Sequence, residues 1–197
     1  MKRLLLAALT ATLFSPTVQA AEKTAIFAGG CFWCIEKDFE HVKGVIDVVS
    51  GYTGGSLKNP TYRNHEGHRE AVKITYDDSK VSYGQLLSIF WRTVDPTDGG
   101  GQFCDRGYAY STAVYALDGD QLSLAQESKK QAAAALKQPI ATEIAMASFW
   151  TDSEGYHQNY YKKNPIRYKY YRYRCGRDQR VKELWGEQAY KGVVYGS

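Results

Sequence analysis

The chain has 197 residues, 44% of them hydrophobic and 23% charged, with 25 Lys and Arg against 21 Asp and Glu for a formal charge of +4. That composition excludes a disordered or fibrous chain and fits one ordinary domain, which at this size buries about two-thirds of its unfolded surface and needs no disulfide or metal to fold. Setting aside Lys2 and Arg3 leaves 23 basic and 21 acidic residues, too even a balance for nucleic acid or an anionic membrane as the main partner.

Residues 1 to 20 read as a secretory signal peptide: Lys2 and Arg3, an apolar run from Leu4 to about Phe14, Ser15-Pro16, and a small-residue cleavage site at Val18-Gln19-Ala20. The apolar run of about ten residues is far short of the roughly 20 that span a bilayer. An exported protein, periplasmic or secreted, is therefore expected, with one domain over residues 21–197.

Thr24 to Ala28 is a short apolar run ending in Gly29-Gly30, and apolar residues at helical spacing follow from Cys31 to Val42, which predicts strand, tight turn, helix. Val45 to Ser50 and Glu70 to Tyr76 alternate as strands, joined by a loop from Gly51 to Arg69 that is long enough to suggest function. Ser82 to Val94 carries Leu86, Leu87, Phe90, Trp91 and Val94 on one helical face before the stop at Asp95-Pro96. A glycine-rich loop runs to Gly107. Thr112 to Leu117 reads as a strand, Gln121 to Lys137 as a helix and Ile140 to Phe149 as a strand. Residues 155 to 178 are aromatic and basic without a period, expected as an irregular tail over the sheet, and Arg180 to Tyr190 reads as a closing helix. The order, roughly βαββαβαβ, predicts an α+β sandwich around a mixed, mainly antiparallel sheet with a ferredoxin-like core.

The chemistry concentrates at Gly29-Gly30-Cys31-Phe32-Trp33-Cys34-Ile35-Glu36. A cysteine opening a helix after a strand meets the positive end of the helix dipole and unpaired N–H groups, which stabilise a thiolate. Four readings compete. Cys31 and Cys34 could be buried small hydrophobes, as in a cysteine-stapled binding module. They could bind zinc with His65-x-x-His68, but the separation from Cys34 to His65 is about twice the finger spacing. They could exchange disulfides as a thiol-disulfide oxidoreductase. Or Cys31 is a nucleophile that attacks a small polarised group.

Gly30-Cys31-Phe32-Trp33 with Glu36, Gly51-Tyr52-Thr53-Gly54-Gly55, Asn59-Pro60-Thr61-Tyr62, Gly67-His68-Arg69-Glu70-Ala71-Val72, Asp95-Pro96-Thr97 and Asp105-Arg106-Gly107-x-x-Tyr110 resemble, in order, the A-type peptide methionine sulfoxide reductases. The resemblance runs from about Ala25 to Trp185. It implies reduction of the S epimer of methionine sulfoxide, free or in proteins, without a bound cofactor or metal, with electrons from a thioredoxin-like thiol donor. Sulfoxide sulfur is partly positive and its oxygen partly negative, so thiolate attack requires that the oxygen be protonated or strongly hydrogen-bonded. The family places the nucleophile at Cys31, the acid at Glu70, oxygen-binding phenols at Tyr62 and Tyr110 and a supporting carboxylate at Asp105; Phe32 and Trp33 would form the apolar slot for the S-methyl group. Glu36 belongs to the motif but is expected to cap or pair, and His68 is expected at the surface.

Many members have glycine at the position of Cys34 and resolve the oxidised nucleophile with cysteines of a glycine-rich C-terminal tail. Here Cys175-Gly176 stands alone. Cys34 lies one helical turn from Cys31, at a spacing that closes a disulfide with little backbone movement, and is taken as the resolving residue. Cys104, beside Asp105, and Cys175 are rivals, and a structural Cys104 to Cys175 bridge fits an oxidising compartment. The aromatic and basic run from Tyr156 to Arg174 could stack on single-stranded nucleic acid, but export and near-neutral charge argue against it. A monomer is expected.

Overall fold

The computed structural model describes residues 21–195, so the expected signal peptide lies outside the described residues. In chain order the elements are β1 (Glu22–Ala28), α1 (Phe32–Glu40), β2 (Val45–Thr53), β3 (Arg69–Asp77) and α2 (Tyr83–Trp91), then a two-residue ribbon of β4 (Gly101–Gln102) and β5 (Asp105–Arg106). β6 (Ala113–Ala116), α3 (Gly119–Leu136), β7 (Glu143–Met146) and β8 (Trp150–Asp152) follow, then α4 (Tyr160–Lys163), α5 (Pro165–Arg174) and α6 (Arg177–Trp185).

The main sheet has the order β7-β6-β1-β3-β2-β8. Its centre, β6-β1-β3-β2 with every neighbour antiparallel, is the ferredoxin-like βαββαβ arrangement expected from the order of elements. β7 adds in parallel to β6 and β8 antiparallel to β2, so consecutive strands occupy opposite edges. A flat sheet of this order would separate those edges by about 24 Å, whereas the four Cα steps from Met146 to Trp150 span at most about 15 Å. The sheet must therefore curl until its edges approach. Within the segment predicted as one strand, Ile140 to Phe149, only Glu143–Met146 is strand, and the chain then crosses to the opposite edge as β8 at Trp150.

Side-chain parity sets the two faces. Ala25 and Phe27 of β1 and Val72, Ile74 and Tyr76 of β3 join Ile35 and Phe39 of α1 and Leu86, Leu87 and Phe90 of α2 in the main core. Ile26, Ala28, Ala71 and Tyr115 pack on the other face. α2 opens with a capping box between Ser82 and Gln85, and α3 opens with Asp118 accepting from Gln121 N, each worth about 1 kcal/mol. Among the described residues no helix is long and apolar enough to cross a membrane.

The irregular tail expected over 155–178 is instead helical in α4, α5 and the start of α6. Hydrophobic periodicity misses α5 because its two most buried residues, Tyr168 and Arg172, are polar and four positions apart. Arg172 pairs with buried Asp38 of α1 at 2.7 Å, donates to Tyr168 Oη at 3.0 Å and binds Asp178 of α6 at 2.7 Å. Breaking such a buried pair by removing one partner typically costs about 3–5 kcal/mol, so this network clamps α5 and α6 onto α1. Pro165 at the first turn starts α5. The closing helix also begins and ends earlier than expected.

Candidate active site

Where β1 runs out, Gly29 and Gly30 turn the chain into α1 and Cys31 becomes its N-cap. Gly30 has φ +84°, and a Cβ there would sit 2.6 Å from Cβ of Gln102, so the turn demands glycine. Cys31 and Cys34 are free, buried thiols against Tyr168, with Tyr171 packed beside them. Cys31 was expected to use the helix N-terminus, yet its side chain takes no cap hydrogen bond. The first amide of α1, Phe32 N–H, donates to Glu70 Oε2 at 3.0 Å.

Glu70 shares the parity of Val72, Ile74 and Tyr76, so β3 points it into the core face beneath α1, where it is 1% exposed. Burial pushes its carboxyl up to about 8, against the hydrogen bond from Phe32 N–H and with help from the charges of Asp105 and Cys34. At neutral pH it is chiefly the acid. Burial likewise pushes the Cys31 thiol up, reinforced by its hydrogen bond to Cys34. Burial also disfavours a Cys34 thiolate, but the hydrogen bond from Cys31 and the charges of Arg177 and Arg172 outweigh it and bring Cys34 down to about 6. Burial and the neighbouring thiol thus hold Cys31 protonated, and the first amide of α1 goes to Glu70.

Cys31, Phe32, Trp33, Tyr62, Glu70, Asp105, Tyr110 and Tyr171 line one small cavity of about 40 Å³. The loop between β2 and β3 delivers Tyr62, whose ring stacks on Phe32 and whose backbone N–H donates to Glu154 Oε1 at 2.9 Å. Tyr110 closes a 3-10 turn after β5. Burial, with nearby Glu70, raises both phenols, so they remain donors. Asp105 accepts a hydrogen bond from Tyr171 Oη, and burial raises its carboxyl. Trp33 stacks on Tyr160 at 3.8 Å and donates from Nε1 to His157 Nδ1 at 3.0 Å. All seven residues expected at the reacting centre, apart from the resolving cysteine, therefore share this wall. A larger concavity of about 690 Å³, between α1, α5 and α6, contains none of them.

Tyr171, His157 and Arg177 were not singled out in the sequence. Tyr171 is one of seven tyrosines between Tyr156 and Tyr173, and no local signal separates it from its neighbours. Glu36 caps as expected: it is buried, and Oε1 accepts from Asn159 N at 2.9 Å. His68 corrects the expectation of a surface position. It is fully buried, and Nε2 bonds Leu57 O at 3.0 Å, holding the β2–β3 loop. Cys104 and Cys175 form a disulfide, which ties the Asp105 strand to the α5–α6 junction. Among the described residues the one metal-compatible cluster is Cys104, Asp105 and Cys175, and its thiols are bonded to each other. Cys31 and Cys34 form no such cluster with His65 and His68.

The sequence model described as peptide methionine sulfoxide reductase matches residues 23–189. The peptide methionine sulfoxide reductase MsrA 2 of Rhizobium meliloti (strain 1021) is 50% identical over 188 residues, 94% of this chain and 95% of that protein. MsrA of Bacillus subtilis (strain 168) is 47% identical over 171 residues, 84% of this chain and 97% of that protein. Among solved structures, methionine sulfoxide reductase A of Corynebacterium diphtheriae superposes with TM-score 0.67 at 31% identity, covering 76% of this chain and 78% of that one. Mxr1 of Saccharomyces cerevisiae in reduced form gives 0.70 at 25%, covering 79% and 94%, and the same yeast protein is also known in complex with Trx2. The resemblance first carried by six short motifs thus extends over sequence and fold alike, and the chain belongs to the A-type peptide methionine sulfoxide reductases.

Proposed function

We propose that the protein reduces the S epimer of methionine sulfoxide by attack of Cys31 on the sulfoxide sulfur, with Glu70 donating a proton to the departing oxygen. Tyr62 and Tyr110 hold that oxygen, Asp105 fixes Tyr171 on the same cavity wall by accepting its hydrogen bond, and Phe32 and Trp33 receive the S-methyl group. One observation carries the reading: a buried thiol, a neutral buried carboxyl and two phenols line the same small cavity, with aromatic faces on its other side. The cavity has room for a methylsulfinyl head and little else, and its acid stands ready to protonate an oxygen in a water-poor site.

Cys34 resolves the Cys31 sulfenic acid as a Cys31–Cys34 disulfide, and a thioredoxin-like dithiol reopens it. The complex of yeast Mxr1 with Trx2 supports a donor of that class. A general disulfide exchanger is less well supported, because it leaves the neutral Glu70 carboxyl and the two phenols of the Cys31 cavity without a role. A cysteine-stapled binding module accounts for Cys104–Cys175 but leaves the Cys31 cavity unexplained. Residues 1 to 20 support export, with repair of oxidised periplasmic or secreted proteins by a monomer.

Turnover of separated S and R epimers with dithiothreitol as donor tests the reading. Consumption of S alone is expected, and equal use of both epimers or of neither refutes it.

A further inference from the structure

His157 does not line the Cys31 cavity, yet three residues that do are packed around it. It lies in the turn between β8 and α4 and is 2% exposed. Between ring centroids it is 4.3 Å from Tyr62 of the β2–β3 loop, 5.2 Å from Phe32 and 5.6 Å from Trp33. One of these contacts is directional: Trp33 Nε1–H donates to His157 Nδ1 at 3.0 Å.

An indole N–H can only donate, so Nδ1 must accept and carries no proton, and the hydrogen of the neutral ring sits on Nε2. Burial favours that neutral ring, against the charge of Glu154. Nε2 is itself buried and has no hydrogen-bond partner among the described residues. A buried donor left unpaired is costly, and a hydrocarbon ring would fill the same space without that cost. What the histidine adds is an acceptor aimed at Trp33. The indole needs one, because its stack on Tyr160, at 3.8 Å and 8°, sets the plane of the ring but not its place within that plane. A hydrogen bond, which weakens steeply off line, sets the place as well.

We propose that His157 is a specificity-determining positioning residue: by holding Trp33 at its indole nitrogen it fixes the width of the alkyl slot, so that the site takes an S-methyl group and rejects a longer S-alkyl group. This rests on the reductase reading above and adds the size limit of its substrate. An apolar slot with fixed walls discriminates one methylene by about 10–200-fold, and a wall that can withdraw gives up that margin. The turn that carries His157 also braces the opposite side of the cavity, where Glu154 accepts from Tyr62 N–H at 2.9 Å and from Tyr52 Oη at 3.1 Å. Both walls are thus referred to one short segment.

Two measurements on the full-length protein test the assignment. The ratio of kcat/KM for methionine S-sulfoxide to that for ethionine S-sulfoxide, its S-ethyl homologue, reads the slot, with dithiothreitol as donor. The Nε1–H resonance of Trp33, identified by its loss in Trp33→Phe, reads the hydrogen bond without turnover. Wild type should prefer the methyl compound by at least about 10-fold, and its Trp33 N–H should be shifted downfield and protected from exchange. His157→Phe keeps a ring in place and removes the acceptor, so the preference should fall to a few-fold and the resonance should lose its shift and protection. Its urea midpoint should be unchanged or higher, because the unpaired Nε2–H has gone; a merely structural histidine predicts lower stability with the preference intact. His157→Asn, whose Oδ1 falls near the place of Nδ1, should keep the resonance shifted. In a Trp33→Phe background, His157→Phe should change the preference no further. The proposal is overturned if folded His157→Phe keeps the wild-type preference, if wild type shows no preference, or if its Trp33 N–H exchanges freely. Should His157→Phe fail to fold, the wild-type resonance and the preferences of wild type and His157→Asn decide. A protein inert toward both sulfoxides refutes the reductase reading and the size limit with it, whereas an active protein without methyl preference refutes the size limit alone.

Discussion

Replacing Glu70 with glutamine removes the proton while keeping an oxygen to accept the Phe32 amide at 3.0 Å, so α1 keeps its anchor and the loss reports on acid chemistry. A positioned general acid contributes about 10²–10⁴-fold, and Glu70→Gln should slow single-turnover reduction of methionine S-sulfoxide by at least about 10²-fold. With the carboxyl raised to about 8, roughly nine-tenths of it is protonated at pH 7 and about one-tenth at pH 9. The wild-type rate should therefore fall about tenfold per unit above pH 8, and the variant should lose that limb. Stability should move the other way. The native state holds this proton more tightly than the unfolded chain, whose carboxyl titrates near 4.5, so stability declines as pH rises from about 4.5 through 8. Glutamine has no charge to desolvate, and Glu70→Gln should be the more stable protein at pH 8, by up to the order of 4 kcal/mol. Rapid-quench kinetics and urea unfolding at pH 6 and 8 check both halves. A variant within a few-fold of wild type, or a wild-type rate flat from pH 7 to 9.5, refutes Glu70 as the acid and leaves the proton to Tyr62, Tyr110 or solvent.

Cys31→Ser should abolish turnover of the S epimer, since an alcohol of pKa far above 7 is no comparable nucleophile; substantial residual activity in a coupled thiol assay sinks the mechanism. Peptide mapping after one equivalent of S-sulfoxide should find a Cys31–Cys34 disulfide beside an intact Cys104–Cys175 bridge, and a bond from Cys31 to Cys104 or Cys175 refutes the resolving assignment. Gly30→Ala must take up φ +84° and push against Gln102, so it should lower stability by about 1–3 kcal/mol; an unchanged urea midpoint shows that the turn is not held as described.

The parts of the site that were legible in the sequence are those set by local rules. Gly29-Gly30 before Cys31 announced a strand, a turn and a helix N-terminus, and all three are present. Glu70 was legible in principle too, because it continues the even-numbered core row of β3, although alone a glutamate in a strand reads as a solvated charge. What escaped was whatever depends on partners remote in sequence. The helical period of α5 is carried by Tyr168 and Arg172, and only Asp38 and Asp178 make such residues suitable for burial. That the strand expected over Ile140 to Phe149 stops at Met146, and the chain crosses to the opposite edge as β8 at Trp150, follows from the curl of the whole sheet, which no window of sequence contains.

The assignment of charge at the site was misjudged for an instructive physical reason. One helix N-terminus offers few free N–H groups, and α1 gives its first to Glu70. That contact holds Glu70 under the cavity, while the N-cap side chain of Cys31 takes no amide of the helix end. With Glu70 anchored there, a permanent anion on Cys31 would add to the field that disfavours ionisation of the acid, and it would also be the first thiolate exposed to adventitious oxidants. Burial and the neighbouring thiol instead hold Cys31 protonated. The acid stays protonated and the outer thiol stays neutral until a sulfoxide occupies the cavity.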